Sequence, residues 1–573
     1  MLSMNQTIAH IFSEMADLLE LRKENPFRIR AYRRGAHAIE TLPDDAVALD
    51  EKQLLAIPGI GKGLADHVLE FKRTGKVAEH EKLREKVPAG LLAMMNYPGL
   101  GAKRANVLYK KLKIDSLAKL KEAAKAGKIR GVDGFGEKME ANIIANMPFN
   151  EDANKRTLVT WARTSAQSIV KHLEKEPYIH NVTLAGSARR WKETVGDLDI
   201  LCTSNQPEKA IDHFLKLSGV SRTLAKGDTK ASVILQSGMQ CDFRVVEKDQ
   251  FGAALLYFTG SKEHNVRLRE LAQKKGLTLN EYGLYKESDK AKKKPVASKT
   301  EEDIYKALGL QYIPPELRED RGEIEAAQKN KLPKLVTEDD IQGDFHNHTN
   351  LTDGAHTIEK MVEAARVRGW NWYYCADHSP SLTITNGLNV DRLHKKMAEI
   401  KELNKKSDMR IYCSSEVDIL ADGRMDYADE ILDELDCVVA SVHSRFKQPK
   451  EEMTARILRA IENPHVDILG HISGRLLNRR GSYEIDFDAI LKKAAETQTA
   501  IEINGQPERA ELSDVHVKKA IEMRIPLAVT TDAHSTNELG HMTLAVAIAR
   551  RGWAEKKNIL NTMSDADMKA WLS

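Results

Sequence analysis

The chain has 573 residues, too many for one hydrophobic core, so its length predicts three or more domains. Its 42% hydrophobic and 30% charged residues are typical of a globular protein in water, and no apolar run is long enough to span a membrane. Lysine and arginine (87) nearly balance aspartate and glutamate (84), so net charge alone does not indicate a nucleic-acid partner. Five scattered cysteines without a CxxC pair favour a reducing, cytoplasmic location.

The first 150 residues are expected to be helical and contain three similar turns. The N-terminus, MLSMNQTIAHIFSEMADLLELRKEN, has acidic residues among its apolar positions and predicts an amphipathic helix, not a signal peptide. The turns lie in IPGIGKGLADHV from Ile57, NYPGLGAKRANVL from Asn96 and GVDGFGEKMEANI from Gly131. Each GxG turn opens a helical pattern, and repetition at about 35 to 40 residues indicates a shared structural unit.

Two interpretations of these turns are open. Glycine can simply supply the positive φ that joins two helices. In the other interpretation, N–H groups at the helix N-termini bind phosphate without touching a base. The units resemble helix-hairpin-helix motifs, which bind the DNA backbone irrespective of sequence; the third departs because Asp133 replaces the proline of the others. The expected DNA-binding glycines are Gly59, Gly61, Gly99 and Gly101, and the basic cluster before them comprises Arg22, Lys23, Arg28, Arg30, Arg33 and Arg34.

From about residue 150, long helices alternate with short β-rich segments, which predicts an α/β or α+β fold. The segments are NVTLAGS, DLDILCT, ASVILQS and QCDFRVV. The lysine-rich ESDKAKKKPVASK, from Glu287, is expected to be a solvated loop, with contact to nucleic acid as the less favoured alternative. The charged segment 321–341 shows no clear strand and is expected to be an interdomain linker.

A candidate metal site lies in LAGSARRWKETVGDLDIL. Asp197 and Asp199 are two apart, so both carboxylates project from one face of a strand. Two close carboxylates repel each other unless a divalent cation neutralises them. A charged strand edge is the alternative, but Gly186 and Ser187 form a small-residue turn suited to a triphosphate, and Asp242 adds a third carboxylate on another strand. This combination predicts a two-metal site for phosphoryl transfer.

These motifs, with YFTGSKEHNVRLR and EEDIYKALGLQYIPPELRED, resemble the nucleotidyltransferase core of family X DNA polymerases, the class that contains DNA polymerase beta. The resemblance implies that Asp197 and Asp199 hold two Mg²⁺ or Mn²⁺ ions and that Asp242 binds the catalytic ion and helps to deprotonate the primer 3′-hydroxyl. Trp191 and Val195 depart from the small or polar residues that the family more often has. By the same resemblance, Gly186, Ser187, Arg190 and Gly196 hold the triphosphate, Tyr257 and Phe258 the sugar, Asn265 the base edge and Arg269 the template side.

After Ile341, predicted strands alternate with helices, and a histidine or an acid stands at the end of each strand: DFHNH, WYYCADH, IYCSSEVDI, CVVASVH, VDILGH, AIEIN and LAVTTDAH. Such groups at successive carboxyl ends are typical of the active face of a (β/α) barrel. A lone buried histidine is usually a core residue, but a set this large predicts two or three bound Mn²⁺, Zn²⁺ or Fe²⁺ ions. The candidate ligands are His346, His348, Asp353, His378, Glu416, His443, His471, Asp532 and His534.

The order HxH, D, H, E, H, H and DxH resembles the PHP (polymerase and histidinol phosphatase) domain, which implies hydrolysis of phosphoesters. The sequence therefore predicts an all-α helix-hairpin-helix region, an α+β nucleotidyltransferase palm with a thumb, and a TIM-like PHP barrel. The expected boundaries are 1–80 and 81–150 for the two helical hairpin domains, 151–246 for the palm, 247–320 for the thumb, 321–341 for the linker and 342–573 for the barrel.

The leading hypothesis is a DNA polymerase that fills short gaps in base excision repair. The barrel is expected to add a metal-dependent 3′–5′ exonuclease and an activity on abasic sites or 3′-phosphodiesters. The expected partners are gapped or nicked double-stranded DNA and dNTPs, with no membrane, and the chain is expected to be monomeric. The alternatives are a phosphoesterase for small molecules such as histidinol phosphate, with a vestigial polymerase core, and a non-catalytic DNA-binding scaffold.

The resemblance also implies a site that this chain lacks. In relatives of DNA polymerase beta, a lysine six residues beyond the second glycine of the first hairpin forms a Schiff base with 5′-deoxyribose phosphate. Here His67 occupies that position, and Gly63 occupies that of a second lysine one turn earlier. Schiff-base chemistry requires a primary amine, so we expect little lyase activity from the N-terminal domain.

Overall fold

The computed structural model describes residues 4–40, 42, 45–95, 100–137, 139–140, 143, 156–289 and 294–572. These residues form two units, one within Met1–Lys155 and the other within Arg156–Ser573. Gly99, one of the expected DNA-binding glycines, lies outside the described residues, as does 290–293 of the lysine-rich segment.

The described residues of the first unit form helices joined by turns, as the sequence predicts. Ile8, Phe12 and Leu19 recur on one face of the first helix and are fully buried, so this helix packs through an apolar stripe. Asp50 and Gln53 form a capping box that starts the third helix. The described helices of this unit include Met4–Leu21, Pro26–Glu40, Glu51–Ala56, Lys62–Thr74, Ala78–Lys86, Ala89–Met95, Gly101–Leu112 and Leu117–Lys125.

The second unit begins with an α+β region around a five-stranded sheet. The strands are β1 Thr157–Leu158, β2 Ile179–Leu184, β3 Thr194–Val195, β4 Asp197–Ser204, β5 Val220–Lys226, β6 Lys230–Leu235 and β7 Gln240–Val246, and the helices are Val159–Leu173, Gly186–Arg189 and Pro207–Leu215. The sheet has the order β2-β4-β7-β6-β5, in which β4 and β7 are parallel and the other neighbours are antiparallel. Apolar residues alternate with polar ones along β7 and are buried, which is why one face of the sheet forms the core.

A smaller helical region with one hairpin follows the sheet. It contains the helices Phe251–Thr259, Lys262–Lys274 and Glu301–Ala307, the hairpin of β8 Leu277–Asn280 and β9 Gly283–Lys286, and the 3₁₀ turns Lys248–Gln250 and Pro315–Leu317. The segment 321–341, expected to be a linker, contains the helix Glu323–Gln328 and the 3₁₀ turn Glu338–Asp340. Its Ile324, Ala327 and Val336 are buried, so this segment packs against its neighbours rather than crossing solvent.

The C-terminal region is a parallel seven-stranded sheet that curls into a nearly closed barrel, which confirms the predicted (β/α) class. A parallel bridge between Asn347 and Ala533 links the chain beyond the first strand to the chain beyond the last. Each predicted strand segment forms a strand: β10 Gly343–Asp344, β11 Trp372–Cys375, β12 Arg410–Asp418, β13 Cys437–Ser441, β14 Ile468–Leu469, β15 Ala500–Asn504 and β16 Leu527–Thr530.

Helices surround the strands and a cluster of aromatic and aliphatic side chains fills the interior. Phe345, Trp372, Tyr374 and Tyr412 belong to this cluster, which also contains Met568 of the last helix. The helices and 3₁₀ turns of the barrel are Ile358–Val367, Thr383–Thr385, Val390–Asn404, Asp429–Leu432, Lys450–Ile461, Phe487–Thr497, Asp514–Glu522, Glu538–His541, Met542–Arg551, Lys556–Asn558, Leu560–Thr562 and Asp565–Leu572. Among the described residues, no helix is long and apolar enough to cross a membrane.

Candidate active sites

Three carboxylates meet on two neighbouring strands. Asp197 and Asp199 lie on β4, and Asp242 lies on the parallel strand β7 directly opposite Asp199. Leu198 and Ile200 between and beyond them are fully buried, so the alternation that buries these apolar residues turns both β4 acids to the other face. The strand pairing therefore joins acids that are more than forty residues apart in sequence.

The carboxylates destabilise one another's charge. Burial, together with the charges of Asp197 and Asp242, raises the pKa of Asp199 to about 7. Burial and the charge of Asp242 also raise the pKa of Asp197. A divalent cation would remove this repulsion and keep all three groups ionised near neutral pH. The donor set, made of carboxylate oxygens, fits the Mg²⁺ or Mn²⁺ expected from the sequence.

The phosphate loop, Gly186–Val195, approaches these acids closely. Gly186 has a φ of +64°, and a Cβ at this position would lie 2.5 Å from Oδ2 of Asp199. Only glycine therefore fits here without displacing a candidate metal ligand. Ser187 is half-buried next to it, whereas Gly196 has room for a side chain, its nearest neighbour being Nη1 of Arg156 at 3.8 Å from an added Cβ.

Two arginines of the phosphate loop are held in ion pairs. Arg189 forms a bidentate ion pair with Glu301, with N···O distances of 2.9 and 2.7 Å. Arg190, expected to hold the triphosphate, is buried and donates from Nε to Glu319 at 3.0 Å and from Nη1 to the carbonyl of Thr259 at 2.5 Å. Its other terminal nitrogen, Nη2, carries two further N–H groups that can donate to a phosphate oxygen.

The expected sugar, base and template residues lie together beside this loop. The rings of Tyr257 and Phe258 are edge to face at 5.1 Å, and Tyr257 is 38% exposed. Asn265 donates from Nδ2 to the carbonyl of Tyr257 at 2.7 Å. Tyr257, Asn265 and Arg269 line one shallow depression, so the structure brings these three together.

Two polar residues of β7 were missed by the sequence analysis. Gln240 donates from Nε2 to Oδ1 of Asp242 at 3.1 Å. The guanidinium of Arg244 lies 4.2 Å from the Phe258 ring centre, and its Nη2 is 4.0 Å from Oδ2 of Asp242. Both alternate with Asp242 along the strand, and this period of two is the signal that would have found them.

In the barrel, all nine predicted ligands gather at the carboxyl ends of the strands. Three sets have ligand atoms within 4.8 Å of one another, and they share members. The sets are His348, Asp353, His378 and His534; His346, His348 and Glu416; and His378, Glu416 and His443. His471 and Asp532 belong to no set but contact its members, His471 at 2.8 Å from Glu416 and Asp532 at 3.2 Å from His348.

Glu416 is the centre of this arrangement. Its Oε1 lies 3.3, 3.2 and 2.8 Å from ring nitrogens of His346, His443 and His471. Its Oε2 lies 2.8 Å from Nδ1 of His378. Burial disfavours its charge, but these imidazoles outweigh burial and hold the pKa of Glu416 well below its usual range.

Two imidazole nitrogens at this centre are buried without a hydrogen-bond partner. They are Nδ1 of His348 and Nδ1 of His471. Burial and the nearby His534 and His378 lower the pKa of His348 to about 3, which keeps this imidazole neutral. Imidazole nitrogens and carboxylate oxygens are the donors that divalent ions bind as they displace the ring protons, so these residues fit a centre of such ions.

The sequence analysis missed residues that orient these ligands. Glu502 lies 2.6 Å from Nδ1 of His346, and Asp418 lies 3.2 Å from Nδ1 of His443. A carboxylate on the second ring nitrogen fixes the tautomer of a ligating histidine. Arg509 donates to Oδ2 of Asp532 at 2.9 Å. Glu502 and Asp418 stand in strands that the sequence predicts, but only the folded structure shows which histidine each one contacts.

In the first unit, the first hairpin presents an uncapped helix N-terminus. Gly59 has a φ of +98°, and Gly61 precedes the helix Lys62–Thr74 with no side-chain cap. The N–H of Leu64 donates to the carbonyl of Gly61, and the N–H groups before it are thus available to a ligand. The second hairpin is similar at Gly101, which has a φ of +48° and begins the helix Gly101–Leu112.

The upstream basic cluster is only partly free for DNA. Arg28 pairs with Glu79, and Arg33 pairs with Asp17. Arg30 is exposed and lies 4.6 Å from the ring centre of Phe27, which is 74% exposed. The expected basic surface is therefore smaller than the sequence suggests.

Comparison with known proteins connects these sites. Family models match for a helix-hairpin-helix domain at residues 3–77, a SAM-like helix-hairpin-helix tandem at 91–146, the DNA polymerase beta thumb at 254–319 and the PHP domain at 344–506. DNA polymerase/3′-5′ exonuclease PolX of Bacillus subtilis (strain 168) is 38% identical over 569 residues, covering 99% of this chain and 98% of that protein.

Two other relatives match parts of the chain. Rat DNA polymerase lambda is 26% identical over 318 residues, which cover 51% of this chain and 52% of that protein. A probable phosphatase of Thermoanaerobacter sp. (strain X514) is 30% identical over 237 residues, which cover 38% of this chain and 89% of that protein. Because the match to PolX runs through both candidate sites, the chain belongs to the family X DNA polymerases that carry a C-terminal PHP domain.

Proposed function

We propose that this chain is a DNA-directed DNA polymerase that fills short gaps during base excision repair, and that its barrel is a metal-dependent 3′–5′ exonuclease. The observation that carries the first part is the pairing of Asp199 with Asp242 beside the glycine turn at Gly186. The nine-residue centre around Glu416 carries the second. The similarity to PolX over almost the whole chain supports both.

In the polymerase site, Asp197 and Asp199 would hold two Mg²⁺ or Mn²⁺ ions, with Asp242 on the catalytic one. When bound, such ions stabilise the charge on the attacking and leaving oxygens of an in-line displacement. Asp242 accepts the proton of the primer 3′-hydroxyl, whose oxygen bonds to the α-phosphorus as pyrophosphate leaves. Ser187 and Nη2 of Arg190 donate to the triphosphate, with Gly186 and Gly196 giving room for its approach.

The remaining nucleotide contacts come from residues beside the phosphate loop. Tyr257 and Phe258 pack against the sugar, and Asn265 reaches the base edge once the nucleotide displaces its bond to the carbonyl of Tyr257. Arg269 is exposed one helical turn further on and contacts the template side. Gly59, Gly61, Gly99 and Gly101 bind the backbone of gapped or nicked DNA.

In the barrel, two or three Mn²⁺, Zn²⁺ or Fe²⁺ ions would be held by the nine predicted ligands. Ions of this kind supply hydroxide near neutral pH for attack on a phosphodiester. Glu502 and Asp418 hold His346 and His443 in the orientation that ligation needs. Arg509 steadies Asp532. The same centre would act on abasic sites and 3′-phosphodiesters.

The domain boundaries expected from the sequence form part of this proposal. The segment 321–341 then joins the thumb to the barrel as a packed connection. The chain is proposed to act as a monomer in the cytoplasm, on DNA and dNTPs. Only the barrel supports the alternative of a phosphoesterase for small molecules. That alternative gives no role to the carboxylates of β4 and β7 or to the hairpin turns.

The experiment is incubation of the full chain with gapped DNA and Mn²⁺, with and without dNTPs. Extension with dNTPs and degradation without them are the expected results. Hydrolysis of histidinol phosphate by a chain that leaves DNA unchanged would favour the small-molecule phosphoesterase. Binding of DNA without either reaction would favour a scaffold.

A further inference from the structure

The barrel contacts the phosphate loop at a backbone position next to the proposed triphosphate ligand. Arg551, the last residue of the helix Met542–Arg551, donates from Nη1 to the carbonyl of Arg190 at 2.6 Å. Its side chain is only 3% exposed. The carbonyl and guanidinium of Arg190 are thus both held, the carbonyl by the barrel and the guanidinium by Glu319 and Thr259.

Arg551 also shares the carboxylate that holds Arg190. Nη1 of Arg551 and Nε of Arg190 both lie 3.0 Å from Oε1 of Glu319. The charges of Lys192, Arg551 and Arg190 outweigh burial and hold the pKa of Glu319 far below its usual range. One carboxylate oxygen of Glu319 therefore joins Arg190 of the phosphate loop to Arg551 of the barrel.

A second contact holds the other end of the phosphate loop. Arg475, four residues beyond His471, donates to Oε1 of Glu193 at 2.7 Å. Arg475 is itself fixed by the backbone carbonyls of Arg509 and Ala510. The barrel thus holds the loop on both sides of Trp191, while Arg163 stacks on the Trp191 ring at 3.7 Å.

Buried ion pairs are weak evidence for stability alone, since apolar residues of similar size often serve as well. Their directional bonds, however, fix the backbone position of the atoms they join. A loop that is already in place avoids the entropic cost of ordering when the triphosphate binds. The contacts of Arg551 and Arg475 fall on the loop that the proposed function assigns to the triphosphate.

We propose that Arg551 and Arg475 of the barrel are positioning residues of the polymerase reaction, which hold the phosphate loop ready for the nucleotide triphosphate. The inference rests on the proposed polymerase function and extends it, because it gives the barrel a part in DNA synthesis that is separate from hydrolysis. If these arginines act in this way, their loss should weaken nucleotide binding and leave the rate of nucleotide addition by the bound complex nearly unchanged.

The test is Arg551→Met in the full chain, with KM for dNTP and kcat measured on gapped DNA. Loss of a charge-assisted hydrogen bond predicts a KM higher by about tenfold or more, with kcat changed by less than about threefold. Arg551→Lys should restore part of the affinity, because the cation remains. Glu193→Gln, which weakens the Arg475 contact without removing a buried arginine, should raise KM in the same direction.

The matched control is Arg550→Met. Arg550 donates to Glu316 at 2.9 Å and to the carbonyl of Val336, so it lies at the same junction but does not contact the phosphate loop. The KM of Arg550→Met for dNTP should equal that of the wild type. Degradation of 3′ ends by all variants would show that the barrel is folded. The inference would be overturned if KM were unchanged in both Arg551→Met and Glu193→Gln, or if Arg550→Met raised KM equally. Either result would leave the proposed polymerase function standing. A wild-type chain that fails to extend any primer would overturn the proposed function, and the inference with it.

Discussion

Asp199 lies directly opposite Asp242 in the parallel pair of β4 and β7, although forty-two residues separate them in the sequence. Glu416 has the corresponding central place in the barrel, where its two oxygens contact four imidazoles at 2.8 to 3.3 Å. The first set contains carboxylates and suits ions that stay with oxygen ligands, whereas the second is rich in imidazole. The two centres share no residue, so each should be removable without the other.

We predict that Asp242→Ala abolishes primer extension and leaves degradation of 3′ ends unchanged. The variant removes a proposed ligand and proton acceptor from β7 but contacts none of the barrel ligands. Extension should fall by at least about a thousandfold, since several kcal/mol of charge stabilisation is lost. Gel assays on one gapped substrate, with and without dNTPs, measure both reactions. Loss of both activities in a folded protein would contradict the two-site model.

The reverse is expected of His346→Ala combined with His348→Ala. Degradation of 3′ ends should become nearly undetectable because two proposed ligands of the barrel centre are missing. Extension should persist at close to the wild-type rate, measured on the same substrate with the same metal. Degradation that survives this double substitution would place the hydrolytic site elsewhere.

Local patterns predicted much of both sites, because alternation and strand ends are properties of neighbouring residues. Asp197 and Asp199 follow from a period of two, and His346 and His348 from their position after a strand. The ion pair between Arg190 and Glu319 could not be predicted, because its partners are 129 residues apart in the sequence. Likewise, the charged segment 321–341 was expected in solvent, but tertiary packing buries Ile324 and Val336.

Removal of metal should destabilise the barrel. The buried Nδ1 atoms of His348 and His471, which have no hydrogen-bond partner, are costly to keep without a ligand. We predict that chelation lowers the melting temperature and that Mn²⁺ restores it, with about 2.7 kcal/mol gained at a hundred times the dissociation constant. Calorimetry measures the shift, and the His346→Ala, His348→Ala variant is the control that should show a much smaller one. Equal melting temperatures with and without chelator would contradict a resident metal centre.

DNA binding by the first hairpin should depend on Gly61. A Cβ at Gly61 meets no atom within 4 Å and its φ of −91° is ordinary, so Gly61→Val should fold. Its side chain would stand by the free N–H groups of the first helical turn, and affinity should fall on the order of tenfold for all base sequences alike. Gly59→Val is less informative, because its φ of +98° strains any side chain.

Fluorescence anisotropy on matched gapped duplexes, over a range of salt concentrations, measures the effect of Gly61→Val. Gly219→Val is the matched control, since Gly219 also has open space around its Cβ position and lies in the second unit. A base-sequence preference, or an equal loss of affinity in the control, would contradict backbone binding by this turn.

The stability of the region around Glu301 should fall in acid. Burial alone would raise the pKa of Glu301, but the charge of Arg318 and hydrogen bonds from Arg189 and Arg318 lower it to about 2. The folded pKa lies below the unfolded value of about 4.5, so the stabilisation is fully present above that pH and is lost as pH falls toward 2. It amounts to about 3 kcal/mol at neutral pH.

Hydrogen exchange in the helix Glu301–Ala307 tests this pH dependence, because it reports local unfolding in a multidomain chain. Glu301→Gln should increase exchange at pH 7, and the difference from the wild type should shrink below pH 4.5. The neighbouring exposed Glu302 provides the control, since Glu302→Gln should match the wild type at each pH. A difference that stays constant across this range would show that the charge of Glu301 is not responsible.

The N-terminal helical domain should have little lyase activity. Nε2 of His67 lies 3.0 Å from the Tyr32 hydroxyl and 3.1 Å from Oε2 of Glu79, so an imidazole fills the position of the Schiff-base lysine and is held there. Lys72, on the same helix, donates to the carbonyl of Leu49 instead. We therefore expect little covalent product within residues 1–80 when the chain is treated with borohydride and a 5′-deoxyribose phosphate substrate.

The positive control for trapping is His67→Lys combined with Glu79→Gln. The first change supplies a primary amine, and the second removes the carboxylate that would keep it protonated and unreactive. Trapping should therefore appear in the double variant, at residue 67, and be weaker in His67→Lys alone. Efficient capture of the wild type at any lysine of residues 1–80 would refute the prediction. Capture by a lysine outside that range is compatible with it, because the relatives place their Schiff-base lysine in the N-terminal helical domain.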